Sequence, residues 1–287
     1  MNGLILIDKP QGVTSFVAVA VIRRAAGEKH CGHTGTLDPM ATGLLPVLVG
    51  RATKLSSYLL EGDKAYRAEM AFGAATDTLD ATGTVTERGG RIPDLADIEA
   101  VLPLFIGKIK QTPPMYSAIK KDGVAMYKLA RKGLSVDLPA REIEIYQIDL
   151  LSYRDGVLSL DVRCSKGTYI RSLCRDLAGA LGTLGHMTAL RRTGTTGFSL
   201  ENALPLYEAE ERLKAGDTSF VLPPDRAVPF GRYAPPAFFA ELLSNGCAVE
   251  VKKLPGCPEG PVWVEKDGAP VGIGRVRDGR LKIETHI

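Results

Sequence analysis

Gly32-His33-Thr34-Gly35-Thr36-Leu37-Asp38-Pro39-Met40-Ala41-Thr42-Gly43-Leu44-Leu45-Pro46-Val47 divides into a polar half and an apolar half, with a single acid, Asp38, at the changeover. Gly32, Gly35 and Gly43 can supply unusual backbone angles, while Pro39 fixes its own φ and pushes Asp38 out of the helical region. The carboxylate is therefore held on a stiff loop. Read structurally, Asp-Pro opens a turn and starts a helix. Read chemically, a lone acid with no second carboxylate beside it is the nucleophile of a covalent mechanism. The windows on either side must decide.

Upstream, Gly3 to Ile7 predicts a short strand that ends in the breaker-rich turn Asp8-Lys9-Pro10-Gln11-Gly12. Thr14 or Ser15 then caps a helix to about Ala26, with Phe16, Val19, Ala20 and Ile22 on its apolar side and Gly27 at its end. Downstream, Leu44 to Val49 is a buried strand and Ala52 to Leu60 a helix. Period-two alternation over Tyr66 to Phe72 returns at Thr84 to Glu87, which predicts a hairpin with a long loop. That loop carries Asp77 and Asp80, but a hard-cation site needs several oxygens at tight spacing and a closing acid. Pro93 to Phe105 has helical spacing opened by Asp94.

Lys108 to Gly133 is irregular and reads as an insertion that packs on substrate. Glu142 to Leu151 and Val157 to Cys164 alternate as strands about the turn Arg154-Asp155-Gly156. In Ser165 to Leu177 a strand end feeds a helix, a junction that offers backbone N–H groups to an anion. Arg171 falls in the first turn of that helix, where the dipole disfavours a cation, so it calls for a fixed anionic partner. Asp176 or Glu142 could serve. Asp38 could too, and Arg171 would then lower that acid's pKa and keep it ionised. Past Leu200, prolines punctuate a linker-like stretch, and from Val249 the chain reads as a small all-β module with Lys266-Asp267-Gly268 and Arg277-Asp278-Gly279 turns.

The composition is globular, with 45% hydrophobic and 24% charged residues in 287. No apolar stretch approaches spanning length, which predicts a soluble, cytoplasmic protein without membrane contact. Five scattered cysteines without CxxC spacing argue for reduced thiols. Net charge is only +3, so a polyanion would have to be met by clusters. Such clusters are Arg23-Arg24 with Lys29-His30, Lys108 with Lys110, Lys120-Lys121, Lys128 with Arg131-Lys132, and Arg191-Arg192. Tyr116 and Tyr127 interleave with them as aromatics do in single-stranded RNA sites.

Seven windows appear in the order of a known family: Asp8-Lys9-Pro10 with Gly12, the Asp38 loop with Ala41-Thr42-Gly43, Lys64-Ala65-Tyr66-Arg67, Thr76-Asp77-Thr78 with Asp80, Pro114-Met115-Tyr116-Ser117-Ala118, Lys166-Gly167-Thr168-Tyr169-Ile170-Arg171, and Leu190-Arg191-Arg192. The chain resembles the bacterial TruB family of tRNA pseudouridine synthases, densely over about the first 200 residues and weakly over the last 60, where the β module is similar to a PUA-type RNA-binding domain. The resemblance implies isomerisation of uridine to pseudouridine at position 55 in the T arm of tRNA, with no cofactor and no metal.

By the same resemblance Asp38 is the nucleophile, Tyr66 stacks on the flipped base and is placed for proton removal, and Arg171 pairs with the aspartate. His33 contacts the RNA and helps extrude the base, and Tyr169, Leu190, Thr36 and Lys9 are counted with the substrate-binding residues, Lys9 in a mainly structural role beside Pro10. The expected fold is α+β, with a large mixed, mostly antiparallel sheet flanked by helices. The expected division is a catalytic domain over residues 1–225, with an RNA-binding insertion at about 108–135, and a PUA-like β domain over 226–287. tRNA is the expected partner of a monomer. Two rival readings are a tRNA-binding or folding factor without chemistry, and a metal-dependent hydrolase using Asp77, Asp80 and the Cys31-His33 pair.

Overall fold

In a computed structural model, residues 1–287 are described except 118, 122–123, 131–133, 135 and 137. The basic-cluster members Arg131 and Lys132, with Ala118 of the Pro114 motif, lie outside the described residues, as do the side chains of Lys120, Lys121, Tyr127 and Lys128.

The protein is α+β. Its main sheet has ten strands, and its long path runs Leu204–Pro205, Gly3–Lys9, Thr42–Val49, Gly185–Thr195, Lys64–Phe72, Val157–Cys164, Arg141–Arg154, Gly107–Gln111. Pairing is antiparallel except where Leu204–Pro205 meets Gly3–Lys9 and where Thr42–Val49 meets Gly185–Thr195. That second parallel contact holds only two residue pairs, Arg191 with Thr42 and Arg192 with Gly43. It lies near the middle of the sheet, and the Asp38 loop runs directly into it. Gly43 has φ +100°, and a Cβ there would sit 2.3 Å from the Arg192 carbonyl oxygen, so only glycine lets the two strands approach.

Both faces of this central region are covered, which is why Gly3–Lys9 reads as an apolar run rather than an alternation. Ile5, Ile7, Leu45 and Val47 face a core shared with the helices Ser15–Ala25, Ile170–Ala180 and Leu206–Lys214. Leu4, Leu6, Leu44 and Leu48 face the opposite side, where Leu55, Leu59, Val228 and Trp263 close a second core. Trp263 is fully buried and its indole N–H donates to the Val228 carbonyl at 2.9 Å; its packing in this core with Leu4 and Leu48 joins the C-terminal unit to the sheet.

Several expected elements come out differently, each for a local reason. Phe16 is 75% exposed, whereas Ser15 is buried beside Ala18, Val19 and Ile22. The inner position goes to Ser15 because its hydroxyl both donates to the Leu37 carbonyl and accepts from the Leu37 N–H. The 84–87 return strand, found at Val85–Arg88, pairs with Ala74–Thr76 and not with Lys64–Phe72. Gly73, at φ +88°, breaks the strand, and both edges of Lys64–Phe72 are taken by Val157–Cys164 and Gly185–Thr195. The expected insertion begins inside the sheet, because Gly107–Gln111 pairs along Arg141–Arg154.

The linker-like stretch past Leu200 contains a helix, Leu206–Lys214, that buries Leu206, Ala209 and Leu213. Pro205 caps the start of this helix, Gly216 at positive φ follows its end, and Pro223-Pro224 open the next short helix, so none of the prolines breaks it. From Val249 on the C-terminal unit is the expected β module. Its five-stranded sheet carries the helix Ala237–Ser244, which buries Ala240 and Leu243. Its hairpins turn on Asp267-Gly268 and Asp278-Gly279, all four at positive φ, as the Asp-Gly signal requires. Among the described residues no helix is long and apolar enough to cross a membrane.

Candidate active site

The loop around Asp38 is tied at nearly every step. Thr34 is buried and its N–H donates to the Pro46 carbonyl, while Leu37 is held at both backbone groups by Ser15. Pro39 offers its carbonyl to the Gly12 N–H at 2.8 Å and to the Lys9 ammonium at 3.4 Å. Lys9 is fully buried and also donates to the Pro10 and Val13 carbonyls. Burial pushes its pKa down to about 8, against a pull from the Asp38 charge.

Arg171 is 4% exposed and its Nε lies 3.0 Å from an Asp38 carboxylate oxygen. One terminal nitrogen donates to the Thr78 carbonyl and stands 3.7 Å from Asp80; the other donates to the Tyr116 carbonyl. The rival partners are engaged elsewhere, Asp176 with Arg175 and Glu142 with Lys108. Asp80 is buried and accepts from the Thr78 hydroxyl and from the N–H and hydroxyl of Thr82. The helix start carrying Arg171 is set by Gln111, whose side chain bonds both the N–H and the carbonyl of Tyr169.

The Asp38 pKa is raised, which reverses the sequence expectation. Burial is the largest cause, Asp80 adds to it, and Arg171 and Lys9 only partly offset it. The sequence reading counted the neighbouring cation and left out the cost of burying the carboxylate.

Asp38 and Arg171 stand between two cavities. One, of about 290 Å³, is lined by Tyr66, Tyr169, Leu190, Thr36, Lys64 and Arg192 together with the pair itself. Tyr66 and Leu190 are at most 9% exposed and lie on adjacent strands. Burial raises the pKa of the Tyr66 hydroxyl, and the Arg192 guanidinium against it pulls the other way. The other cavity, about 660 Å³, holds His33 with Phe16, Met40 and Tyr116, and Thr36 borders both. His33 is therefore brought to Asp38 from the side opposite Tyr66. Its Nδ1 is buried without a partner among the described residues, and burial and Arg192 hold its pKa below the usual imidazole range. Lys9 lines neither cavity and acts on the loop from beneath.

Four residues of this constellation escape a reading of the sequence. Asp80 reads as loop acid, Ser15 as a cap, Gln111 as part of an insertion and Arg192 as half of a basic pair. Arg191 and Arg192 in fact point to opposite sides of their strand: Arg191 pairs with Asp8 in a half-exposed bridge, whereas Arg192 is 1% exposed. A detectable signal lay in the strict two-residue period of the strand, which forces one of two adjacent arginines inward.

Residues 23–170 match the TruB family pseudouridylate synthase N-terminal domain, and residues 171–228 match the tRNA pseudouridylate synthase B C-terminal domain. This chain belongs to the TruB family. It is 41% identical over 283 residues to the tRNA pseudouridine synthase B of Geobacter sulfurreducens, covering 97% of this chain and 91% of that one. It is 42% identical over 291 aligned positions to the Pseudomonas fluorescens protein of the same name, covering 98% and 94%. Among solved structures it is similar to one titled a Cbf5-Nop10-Gar1 complex, with TM-score 0.75 and 25% identity over 99% of this chain and 84% of that one. The TruB fold is also shared with an H/ACA RNP bound to a substrate RNA containing 2'-deoxyuridine, at TM-score 0.73 and 23% identity over 99% and 84%.

Proposed function

We propose that this TruB-family chain converts uridine to pseudouridine at position 55 in the T arm of tRNA, with Asp38 as nucleophile. The observation that carries this reading is the Asp38–Arg171 pair set in the wall of a pocket with an aromatic face, Tyr66, and an apolar wall, Leu190. A uridine stacked in a folded arm must leave the stack before its glycosidic bond can be reached, and a pocket of this kind receives it. Curated relatives over nearly the whole chain carry the matching name.

In this reading Tyr66 stacks on the base, Tyr169 and Leu190 bound it, and Thr36 contacts the sugar-phosphate side. Arg171 orients the carboxylate and favours its ionised form. His33, neutral and on the opposite flank, helps hold the RNA open. Lys9 keeps the loop in place without touching substrate. Tyr66 is near the proton that leaves C5; acting as its base requires the phenolate, which burial opposes and Arg192 favours. Uridine and pseudouridine are isomers, so no net electrons enter or leave, and the reading calls on no cofactor. We also propose a monomer that acts in the cytoplasm, with residues 226–287 as a separate unit adding contact to the tRNA.

The test is tritium release from an unmodified tRNA transcript labelled at C5 of uridine, with chelator present. The parent should release tritium, and Asp38→Asn should lose turnover by a factor on the order of 10⁴ or more while binding tRNA within about threefold of the parent. Tight binding by the parent without release would instead identify a tRNA-binding factor.

A further inference from the structure

The pocket holds more positive charge than its acids explain. Lys64, Arg171 and Arg192 line it and are each 8% exposed or less, Lys9 lies fully buried beneath it, and the carboxylates among them are Asp38 and Asp80, both shared by Arg171. Arg192 is the extreme case. Its Nε donates to the Leu44 carbonyl at 2.7 Å and one terminal nitrogen to the Gly35 carbonyl, but among the described residues it forms no ion pair. Its other terminal nitrogen is hydrogen-bonded to no backbone carbonyl of the described residues and lies 3.4 Å from where a Cβ on Gly35 would be. On the cavity side the guanidinium lies against the Tyr66 hydroxyl. Arg192 is also the direct cross-strand partner of Tyr66, so both side chains stand on one face above the pocket. Lys64, at the same pocket, spends its ammonium on the Leu60 and Gly62 carbonyls and likewise forms no ion pair among the described residues.

A buried cation without a counter-ion costs several kcal/mol, and fixed charge of this kind is suited to an anion that forms only during reaction. Resting on the function proposed above, the reaction makes one. When the N1–C1′ bond breaks, its electron pair leaves with the base, giving a uracil anion whose charge spreads over N1, O2 and O4, while the sugar carbon is left electron-poor beside Asp38. The anion then turns, C5 bonds to C1′, the proton leaves C5 and N1 takes one up, so composition is unchanged. We infer that Arg192, seconded by Lys64, holds the detached uracil anion while it turns in the pocket. The Arg192 charge acts to lower the pKa of Lys9, His33, Lys64 and Tyr66, so its field reaches across this site.

The experiment compares single-turnover loss of the N1-linked nucleoside, after nuclease digestion, for tRNA carrying uridine or 5-fluorouridine at the target position. Fluorine stabilises the departing anion and so relieves the need for protein charge. Arg192→Gln should slow uridine about 100-fold and fluorouridine about tenfold or less, with tRNA binding within about threefold of the parent. Arg192→Lys, which keeps the charge and loses the fork, should leave the ratio of the two rates within twofold of the parent's. Equal slowing of both substrates by Arg192→Gln, or loss of tRNA binding, would reduce Arg192 to a structural clamp and overturn the inference. If Arg192→Gln does not fold, Lys64→Gln takes its place: a raised fluorouridine-to-uridine ratio supports the inference and an unchanged ratio overturns it. A parent inactive on uridine would overturn the proposed function itself, a result distinguishable from all of these.

Discussion

Around Asp38 the cations Lys9, Lys64, Arg171 and Arg192 are between 0% and 8% exposed, whereas in the five-stranded C-terminal unit Lys252, Lys253, Arg277 and Arg280 keep between 56% and 76% of their side chains in solvent. The outer cations are matched by Glu250 and Glu284, and their charge is hydrated besides. The inner ones crowd two carboxylates and lean on backbone carbonyls. Exposed pairs of the first kind contribute little to stability and are readily exchanged. Cations of the second kind are expensive to bury and persist where their field has work to do. Location, not the number of charged residues, separates the candidate active site from the solvated surface.

The largest effect that would test this contrast is at Arg171. Arg171→Met leaves the half-buried Asp38 and the buried Asp80 without their shared partner and strips the Thr78 and Tyr116 carbonyls of a donor. A loss of about 3–5 kcal/mol is expected, read by urea unfolding at pH 7. A loss below about 1 kcal/mol would make the inner charges as dispensable as the outer ones.

Next is Lys9, which no ion pair holds among the described residues and which clamps three carbonyls. Lys9→Met should cost about 2 kcal/mol. Its pKa, depressed to about 8 in the folded protein, sets a pH signature. Between that value and the unfolded value of about 10.4, the unfolded chain holds a proton that the folded one has shed, so this group's contribution to stability rises with pH. The deficit of Lys9→Met relative to the parent should therefore grow from pH 7 to pH 10. A constant deficit would mean the ammonium is not buried at a cost.

A smaller effect concerns Asp38. The proposed attack requires an ionised carboxylate, and burial raises its pKa, so under that proposal the single-turnover rate should fall on acidification with an inflection above the ordinary aspartate value of about 3.9. An inflection at or below that value would mean that Arg171 outweighs burial. At the other end of the scale, Lys253→Ala removes an exposed partner of Glu250 and should leave the melting temperature within about 2 °C of the parent's. A larger drop would show that the C-terminal charges are structural too.

Much of this architecture is written locally. The strand Gly3–Lys9, the Thr14 cap, the Asp-Gly hairpins at 267–268 and 278–279 and the alternation of Lys64–Phe72 follow from residues within a few positions of one another. The Asp38 loop could be singled out because glycine and proline announce a stiff backbone around one acid. Phe16 could not be placed, because an apolar residue beside Ser15 gives no hint that a serine hydroxyl will be needed inward to clamp Leu37. The 206–214 helix was hidden by flanking prolines, and Asp80 by a loop that also resembles an ordinary turn.

By itself, the order of residues determined which segments are strands and helices, where the chain turns, and which acid sits on a rigid loop, because backbone angles and side-chain periods act over short distances. Only the tertiary structure decided which partner Arg171 takes, that Arg192 faces inward while Arg191 faces out, and that the Asp38 pKa goes up and not down. Those outcomes depend on desolvation and on long-range pairing, such as Thr42–Val49 meeting Gly185–Thr195, and both are set by what the folded chain places over each group.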